Sequence, residues 1–281
     1  MELLILCPQW GHEHLPFEEF CEKVKAAGYD GIETWLPLEK SERHTMARCL
    51  ERHQLFFVSH QHQAAGENIN AFCRSYNEWL HISSECAPLF INSHSGRDFF
   101  SFDDKLKILD TAAAFSAKTG IDVAHETHRG RLFYCPADAD QLLSARPQTK
   151  LTADFSHWVC VSESLHLEGF KDILQTAINL SHHIHCRVGF AEGPQIPDPR
   201  SLFWQKEVDV FLYWWRAIAH CQKNNGKRWL TMTPEFGPPP YLWTDPSSNK
   251  PIANQWEINR YIKDLLRQQL APELRNENQP D

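Results

Sequence analysis

Short apolar runs alternate along the chain with longer stretches in which apolar residues recur every three or four positions. The first short run covers residues 3–8, and Phe17, Phe20 and Val24 then share one helical face until Gly28. A short apolar run predicts a buried strand, and the spacing that follows predicts an amphipathic helix. Pro16 and Gly28 mark the start and the end of that helix. The first predicted unit is therefore a strand followed by a helix.

The same unit repeats to the end of the chain. The predicted strands are residues 3–8, 31–36, 55–60, 89–94, 121–126, 151–154, 181–187 and 229–235. The predicted helices are residues 16–28, 41–53, 69–80, 103–119, 136–145, 168–179, 202–224 and 258–270. Eight such units in 281 residues are typical of an α/β fold with a single (β/α)₈ TIM barrel. We therefore expect one barrel over 1–270, followed by a polar C-terminal tail over 271–281.

A doubly wound α/β sheet is the main alternative fold. That fold has fewer strands and normally a glycine-rich phosphate turn after the first strand. Residues 7–11 read CPQWG and supply no such turn. The pattern therefore favours the barrel.

Composition and the distribution of cysteines indicate where in the cell the protein is expected. No run approaches the roughly 18 apolar residues of a membrane span, and the apolar run after Glu2 lacks the basic flank of an export signal. The nine cysteines are scattered and include no C-x-x-C pair, which indicates neither a disulfide framework nor a thiolate zinc site. A cytoplasmic location without membrane contact is the expectation.

The net charge of −8, with no basic block, opposes a polyanion such as DNA. We therefore expect a small-molecule, sugar-like substrate and no nucleic acid. The sequence is also compatible with assembly into a homo-oligomer.

Carboxylates and imidazoles collect at the C-terminal ends of the predicted strands. They are Glu33, His60, His62, His94, Glu126, Asp154, His185 and Glu235. These ends converge on one pocket in a barrel, so ligands far apart in sequence can meet there. One such residue alone is ordinarily a solvated strand end, but four on consecutive strands favour a shared site. On strand seven His183 shares the face of His185, which is nearer the C-terminal end and is the better ligand candidate.

At these residues the chain resembles the xylose isomerase-like barrels, a superfamily of sugar-phosphate isomerases and epimerases, ketose 3-epimerases, inosose-processing enzymes and endonuclease IV-type repair enzymes. The resemblance covers nearly the whole barrel. It rests on the order Glu, Asp-x-x-His, His, Glu on strands five to eight. The matching segments are HETH at 125–128, DFSH at 154–157, HIH at 183–185 and PEFG at 234–237.

The resemblance implies a metal-dependent isomerase or epimerase that acts on a sugar, keto-sugar or related polyol by proton transfer through an enediolate. The residues implied to bind one divalent metal ion are Glu126, Asp154, His185 and Glu235. This oxygen-rich set favours Mn²⁺, Mg²⁺ or Co²⁺, with Zn²⁺ as the alternative. Glu126 and Glu235 are the expected catalytic residues, one taking a proton and the other returning it.

Other residues near the same strand ends are expected to contact the substrate. They are His157, His94, His60, His62, Arg187, His128, Glu33 and Trp158. Five arginines also fall in the C-terminal loops, namely Arg97, Arg129, Arg131, Arg187 and Arg200. Arginine pairs well with carboxylate and phosphate, which keeps an acidic or phosphorylated sugar open.

Two rival functions belong to other classes. A trinuclear-zinc phosphodiesterase of the AP endonuclease type would also use histidines on strands three and four and an Asp-x-His pair, but Asp198 is followed by Arg200 instead. A non-catalytic sugar-binding barrel is the second rival. Ketose 3-epimerases usually have an arginine six residues after the metal histidine, where this chain has Ala191. The sequence therefore leaves open the substrate, its phosphorylation, the metal, the oligomeric state and the choice between isomerisation and epimerisation.

Overall fold

Eight parallel strands pair in chain order and close into a barrel, with β8 returning to β1. This computed structural model describes residues 1–274. The strands are β1 (Glu2–Pro8), β2 (Gly31–Thr34), β3 (Phe56–Gln61), β4 (Ile91–Ser93), β5 (Val123–Glu126), β6 (Lys150–Ala153), β7 (Ser181–His185) and β8 (Trp229–Thr233). The predicted (β/α)₈ barrel is confirmed.

Helices lie between the strands and cover the outside of the barrel. They are α1 (Phe17–Ala26), α2 (Lys40–His53), α3 (Ile69–Ser83), α4 (Phe102–Thr119), α5 (Pro136–Ala145), α6 (Phe155–Val161), α7 (Lys171–Leu180), α8 (Gln205–Asn224), α9 (Gln255–Gln269) and α10 (Ala271–Leu274). Helix α5 has the predicted bounds, with Pro136 at its first turn and Cys135 as N-cap. Helix α6 was not predicted, and it begins directly after β6.

Several strands are shorter than predicted at the C-terminal end. Strand β7 ends at His185 and β8 at Thr233, so Arg187 and Glu235 follow their strands. Asp154 follows β6 and is the N-cap of α6, where its Oδ1 accepts a hydrogen bond from the Ser156 backbone N at 3.1 Å. At the mouth, Glu126 and His185 are therefore the last residues of their strands, whereas Arg187 and Glu235 stand in loops and Asp154 caps a helix.

The core has two parts of very different size. The larger part lies between the strands and the helices and contains most buried apolar residues. The smaller part lies inside the barrel and consists of Leu6, Val58, Phe90 and Ala124. We call these four residues the apolar layer. Its small size is explained by the polar side chains that fill the rest of the barrel interior.

The C-terminal end of the described chain packs against its beginning. Leu274 in α10 is buried, and its carbonyl oxygen accepts a hydrogen bond from the Met1 amino group at 2.9 Å. The polar tail predicted over 271–281 therefore starts with a packed helical turn, and its remainder, 275–281, lies outside the described residues. Within residues 1–274, no helix combines the length and the apolar character that crossing a membrane requires.

Candidate metal and active site

Four ligand-type side chains converge at the C-terminal mouth of the barrel. Glu126, Asp154, His185 and Glu235 each offer one ligating atom, and these atoms lie within 4.8 Å of one another. All four side chains are buried. They stand at the ends of β5 to β8, which are neighbours in the barrel, so the parallel ladder itself brings them together. We call these four residues the mouth cluster.

The ring of His185 points one nitrogen towards the mouth and the other towards the barrel interior. His185 Nδ1 lies 2.8 Å from Glu235 Oε2 and 3.5 Å from Glu126 Oε2. His185 Nε2 lies 2.9 Å from Glu33 Oε1. Glu33, predicted as a substrate contact, is thus placed on the interior side of His185.

Arg187, which the sequence predicted as a substrate contact, lies buried inside the mouth. Its Nε donates to Asp154 Oδ2 at 3.0 Å and its Nη2 to Glu235 Oε2 at 2.5 Å. The guanidinium carbon is 5.5 Å from the ring centre of Trp10 and 4.7 Å from that of Tyr241. Nη1 is buried and has no hydrogen-bond partner among residues 1–274. One donor of a fixed guanidinium is therefore left for another molecule.

The loops that carry these aromatic rings are held together at the mouth. Gln195 donates to the Gly237 carbonyl oxygen at 3.2 Å and accepts from its backbone N at 2.6 Å. A side chain on Gly237 would place its Cβ 2.4 Å from the Trp10 ring, so only glycine permits this approach. The segment that follows brings Tyr241 over Arg187.

Helix α6 explains the spacing of Asp154 and His157. Asp154 caps the helix, and three residues further on His157 is placed back over the cap, with Nε2 3.5 Å from Asp154 Oδ2. His157 is fully buried, and neither ring nitrogen has a hydrogen-bond partner in the described part of the chain. The imidazole is therefore available to a ligand at the mouth.

Five imidazoles form a continuous arc beside the mouth cluster. Along the arc His62, His60, His94, His128 and His157 have successive ring-centre distances of 5.4, 4.3, 4.3 and 3.9 Å. His94 joins the arc to the cluster through Nε2, 2.9 Å from Glu126 Oε2. The structure thus brings all five predicted histidines to one side of the mouth.

Burial favours the neutral form of these imidazoles. It lowers the pKa of His62 and of His128 to about 4, and it also lowers the pKa of His60. The pKa values of His94 and His157 lie well below the usual histidine value for the same reason. A neutral imidazole both donates and accepts a hydrogen bond, which suits a hydroxyl group.

The carboxylates of the mouth outnumber its fixed cations. Burial raises the pKa of Asp154 to about 6, although Arg187 opposes this effect. For Glu126, burial alone would raise the pKa, but the neighbouring His94 and His185 hold it well below its usual range. Burial would lower the pKa of His185, but Glu235, Glu33 and Glu126 raise it well above the ordinary value. In the metal-free site, a proton on His185 thus balances part of the negative charge of the neighbouring carboxylates. A bound metal cation could balance the same charge in its place.

The chemistry of the donors fits a divalent metal ion. Glu126 Oε1 is buried without a hydrogen-bond partner in residues 1–274. His185 Nδ1 faces two carboxylate oxygens, which cannot donate to it. Three carboxylates and one imidazole are the ligand types that Mg²⁺, Mn²⁺ and Zn²⁺ bind in proteins.

Several residues of the sequence prediction are placed away from the mouth cluster. Trp158 is fully buried in the outer core, stacks on Phe155 and donates from Nε1 to the Phe133 carbonyl oxygen at 2.8 Å. Its side chain is turned by about 100° from that of His157, the preceding residue of α6, and packs in the core between barrel and helices. Asp198 is paired with the exposed Arg200, with 2.7 Å between Oδ2 and Nη2.

The sequence prediction missed Asn92, which forms hydrogen bonds to two of the predicted site carboxylates. Asn92 Nδ2 donates to Glu33 Oε1 at 2.9 Å and to Glu126 Oε2 at 3.1 Å. The signal was present, because Asn92 precedes His94 by two residues and so shares its face of the strand. The contacts of Trp10 and Tyr241 with Arg187 depend on loop conformation, for which the sequence carried no comparable signal.

Comparisons with known proteins agree with this architecture. A family model described as "Xylose isomerase-like TIM barrel" matches residues 21–189, more than half of the chain. No curated protein matches the sequence.

Among solved structures, the apo form of the 3-keto-D-glucoside 4-epimerase YcjR from E. coli superposes with a TM-score of 0.63 at 14% identity, covering 95% of this chain and 100% of that one. A xylose isomerase-like TIM barrel protein from Mycobacterium smegmatis in complex with magnesium gives 0.61 at 11% identity, with 97% and 98% covered. AP endonuclease, family 2 from Brucella melitensis gives 0.58 at 14% identity, with 93% and 98% covered. Identities this low show a shared fold alone.

Proposed function

Because this chain belongs to the xylose isomerase-like TIM barrel family, we propose that it is a metal-dependent isomerase or epimerase of a sugar, keto-sugar or related polyol. The single observation that carries the proposal is the convergence of Glu126, Asp154, His185 and Glu235 in one buried mouth. Buried carboxylates are expensive unless a cation or hydrogen bonds compensate them. A cluster of three carboxylates beside one arginine therefore requires a functional reason.

The mouth cluster would hold one divalent ion. When bound, such an ion would polarise adjacent carbonyl and hydroxyl oxygens of a substrate. Asp154 and His185 serve as ligands only, since Asp154 is fixed by the α6 cap and Arg187, and His185 by Glu33.

Glu126 and Glu235 have a second role as proton carriers. Glu126 ends β5 and Glu235 follows β8, so they lie on either side of β7 in the strand order, and their Oε2 atoms lie 3.5 and 2.8 Å from His185 Nδ1. A carboxylate on each side of a bound substrate can remove a proton from a carbon next to the carbonyl and return one to the neighbouring position or the other face.

The remaining residues of the mouth would recognise the substrate. Arg187 offers Nη1 to a substrate oxygen, and its contacts with the rings of Trp10 and Tyr241 keep that donor fixed. His157 would orient a hydroxyl group, and the other imidazoles of the arc extend the same hydrogen-bonding surface.

A phosphodiesterase of the AP endonuclease type is the second candidate function. One observation favours it, because His60, His94 and Glu126 form a further group that could hold a metal ion. The Asp198–Arg200 ion pair leaves the additional aspartate of that enzyme class engaged on the surface. The net charge of −8 also opposes a DNA backbone.

A substrate panel in deuterated water tests the proposal. The protein is freed of metal, reloaded separately with Mn²⁺, Mg²⁺, Co²⁺ or Zn²⁺, and incubated with ketoses, inososes, keto-glycosides and their phosphates. We expect one bound ion per chain and solvent deuterium incorporated at a carbon next to a carbonyl. Three zinc ions with cleavage of abasic DNA would support the second candidate instead. Sugar binding without a metal or exchange would indicate a non-catalytic barrel.

A further inference from the structure

Glu33 is a buried carboxylate whose two oxygens are both occupied by protein groups. Oε1 lies 2.9 Å from Asn92 Nδ2 and 2.9 Å from His185 Nε2. Oε2 lies 3.0 Å from His183 Nε2 and accepts from Thr233 Oγ1 at 2.6 Å. A carboxylate has about four acceptor positions, and these four contacts use them. Glu33 therefore has no oxygen left for a substrate, although the sequence suggested that role.

The contact with Glu33 determines the tautomer of His185. An ionised carboxylate only accepts hydrogen bonds, so His185 Nε2 carries the proton that it donates to Glu33. Asn92 Nδ2 also lies 3.2 Å from His185 Nε2, but its two hydrogens are donated to Glu33 and Glu126. In the neutral ring Nδ1 then presents its lone pair, and Nδ1 is the nitrogen that faces Glu235 and Glu126. The hydrogen bond from Nε2 to Glu33 thus makes Nδ1 the nitrogen that can bind a metal ion.

Glu33 is itself fixed by a chain of hydrogen bonds across the barrel. His183 Nδ1 lies 2.7 Å from Thr231 Oγ1, so the ring that contacts Glu33 is anchored on β8. Asn92 donates to both Glu33 and Glu126 from one amide nitrogen, which couples the position of Glu33 to a member of the mouth cluster.

We propose that Glu33 is a positioning residue that locks His185 in the Nε2–H tautomer, so that Nδ1 binds the divalent ion. The inference rests on the proposed function, since it presumes an ion in the mouth cluster. Partners of this kind orient a metal-binding histidine and make it more basic, and their loss typically weakens metal binding by about 10- to 100-fold.

Glu33→Gln is the sharpest variant, because it preserves size and exchanges one acceptor oxygen for a donor. The N–H groups of His183 and His185 then compete for one acceptor, and a switch of His185 to the Nδ1–H form puts a proton where the ion binds. We expect the Mn²⁺ Kd to rise by about 10- to 100-fold in calorimetric titrations. At saturating Mn²⁺ the KM for substrate should stay unchanged. The matched control is Glu39→Gln, because Glu39 is exposed on the loop after β2.

Two further measurements keep the test decisive if Glu33→Gln does not fold. Thr233→Val removes one donor to Glu33 and should weaken Mn²⁺ binding by roughly two- to tenfold, the effect of one hydrogen bond. In the zinc-loaded wild type, ¹⁵N NMR should show His185 coordinated through Nδ1 with a proton on Nε2.

Coordination through Nε2 would overturn the inference, as would an unchanged Mn²⁺ Kd in Glu33→Gln, with or without a raised KM. A wild-type protein that binds none of these ions would overturn the proposed function and this inference together.

Discussion

The inside of the barrel has two levels that are both largely buried and are chemically opposite. In or directly before three strands, an apolar side chain is followed two residues later by a polar one that also points inwards, namely Val58 by His60, Phe90 by Asn92 and Ala124 by Glu126. Burying the apolar layer is favourable by roughly 25 cal/mol per Å². Burying a carboxylate costs several kcal/mol unless charges and hydrogen bonds compensate it.

The difference shows that burial by itself does not identify a core. Apolar packing explains why the apolar layer is buried. Burying the carboxylates of the mouth cluster costs desolvation free energy that apolar packing does not offset. Arg187 compensates part of the negative charge through Asp154 and Glu235, and Asn92 compensates part through Glu126. The uncompensated remainder is what makes the mouth suitable for a cation, so changes in the two levels should affect different properties.

The largest expected effect is the loss of activity when a proton carrier in the mouth is neutralised. Glu126→Gln and Glu235→Gln each keep a neutral oxygen ligand but remove the base, so kcat should fall by about 10²- to 10⁴-fold. Metal content, measured by mass spectrometry of the dialysed protein, should stay near that of the wild type. His185→Ala is the contrasting variant and should lose the ion together with the activity. Undiminished deuterium exchange in both glutamine variants would exclude the mechanism with two carboxylates.

A change in the apolar layer should have the reverse signature. Leu6→Ala removes a fully buried side chain and should lower the free energy of unfolding by about 2–5 kcal/mol. The Kd for Mn²⁺ of the folded variant should not change. Urea unfolding measures the first quantity and calorimetry the second. Leu38→Ala is the matched control, because Leu38 is 66% exposed and its loss should leave stability nearly unaltered. Equal effects of both variants would contradict the distinction between the levels.

Lowering the pH should destabilise the folded protein through a buried imidazole that lies outside the mouth. His125 precedes Glu126 on β5 but faces the helices, and its ring Nδ1 lies 2.6 Å from Ser95 Oγ. Burial lowers the pKa of His125 to about 3, so below about pH 6.5 the unfolded chain binds a proton that the folded chain does not. Stability is therefore lost as the pH falls.

From pH 7 to pH 5 this residue should account for about 2 kcal/mol of the loss in the metal-free protein. Urea unfolding of His125→Gln, compared with the wild type at both pH values, isolates that contribution. A pH dependence identical to that of the wild type would show that His125 has the same pKa in the folded and the unfolded protein, which would contradict the prediction.

The smallest expected effect comes from a residue that contacts the substrate but not the ion. His157→Ala removes one hydrogen bond to a hydroxyl group, a net loss of about 1 kcal/mol, so KM should rise by roughly fivefold. Metal content should be unaffected, since His157 is not one of the four residues of the mouth cluster, although it belongs with Glu126 and His128 to another group that could hold an ion. A variant that loses the ion would place His157 among the ligands.

Much of the barrel follows from periodicity, because buried strands and amphipathic helices leave strong patterns. The bounds of α5 were predicted correctly, since Pro136 marks its start. The seven-residue α6 was missed, because it spans only about two turns and is buried along most of its length, so no amphipathic pattern marks it. The C-terminal ends of all strands meet at one end of a closed barrel. Their strand-end positions therefore correctly predicted that Glu126, Asp154, His185 and Glu235 lie near one another.

Roles within the mouth were harder to predict, because they depend on partners and not on position. Glu33 shares its strand-end position with the predicted ligands but is saturated by hydrogen bonds from three other strands. Arg187 was expected to contact the substrate from a C-terminal loop, but its contacts with Trp10 and Tyr241 inside the mouth were not predicted. Periodicity reports which face a residue occupies and does not report which group it meets there.

Anomalous diffraction from a crystal soaked with Mn²⁺ tests the metal site most directly. The proposal predicts one strong peak at about 2.0–2.4 Å from an oxygen of Glu126, Asp154 and Glu235 and from Nδ1 of His185. A peak at His60 and His94 without one in the mouth cluster, or no peak at all in a protein with an ordered mouth, would contradict it.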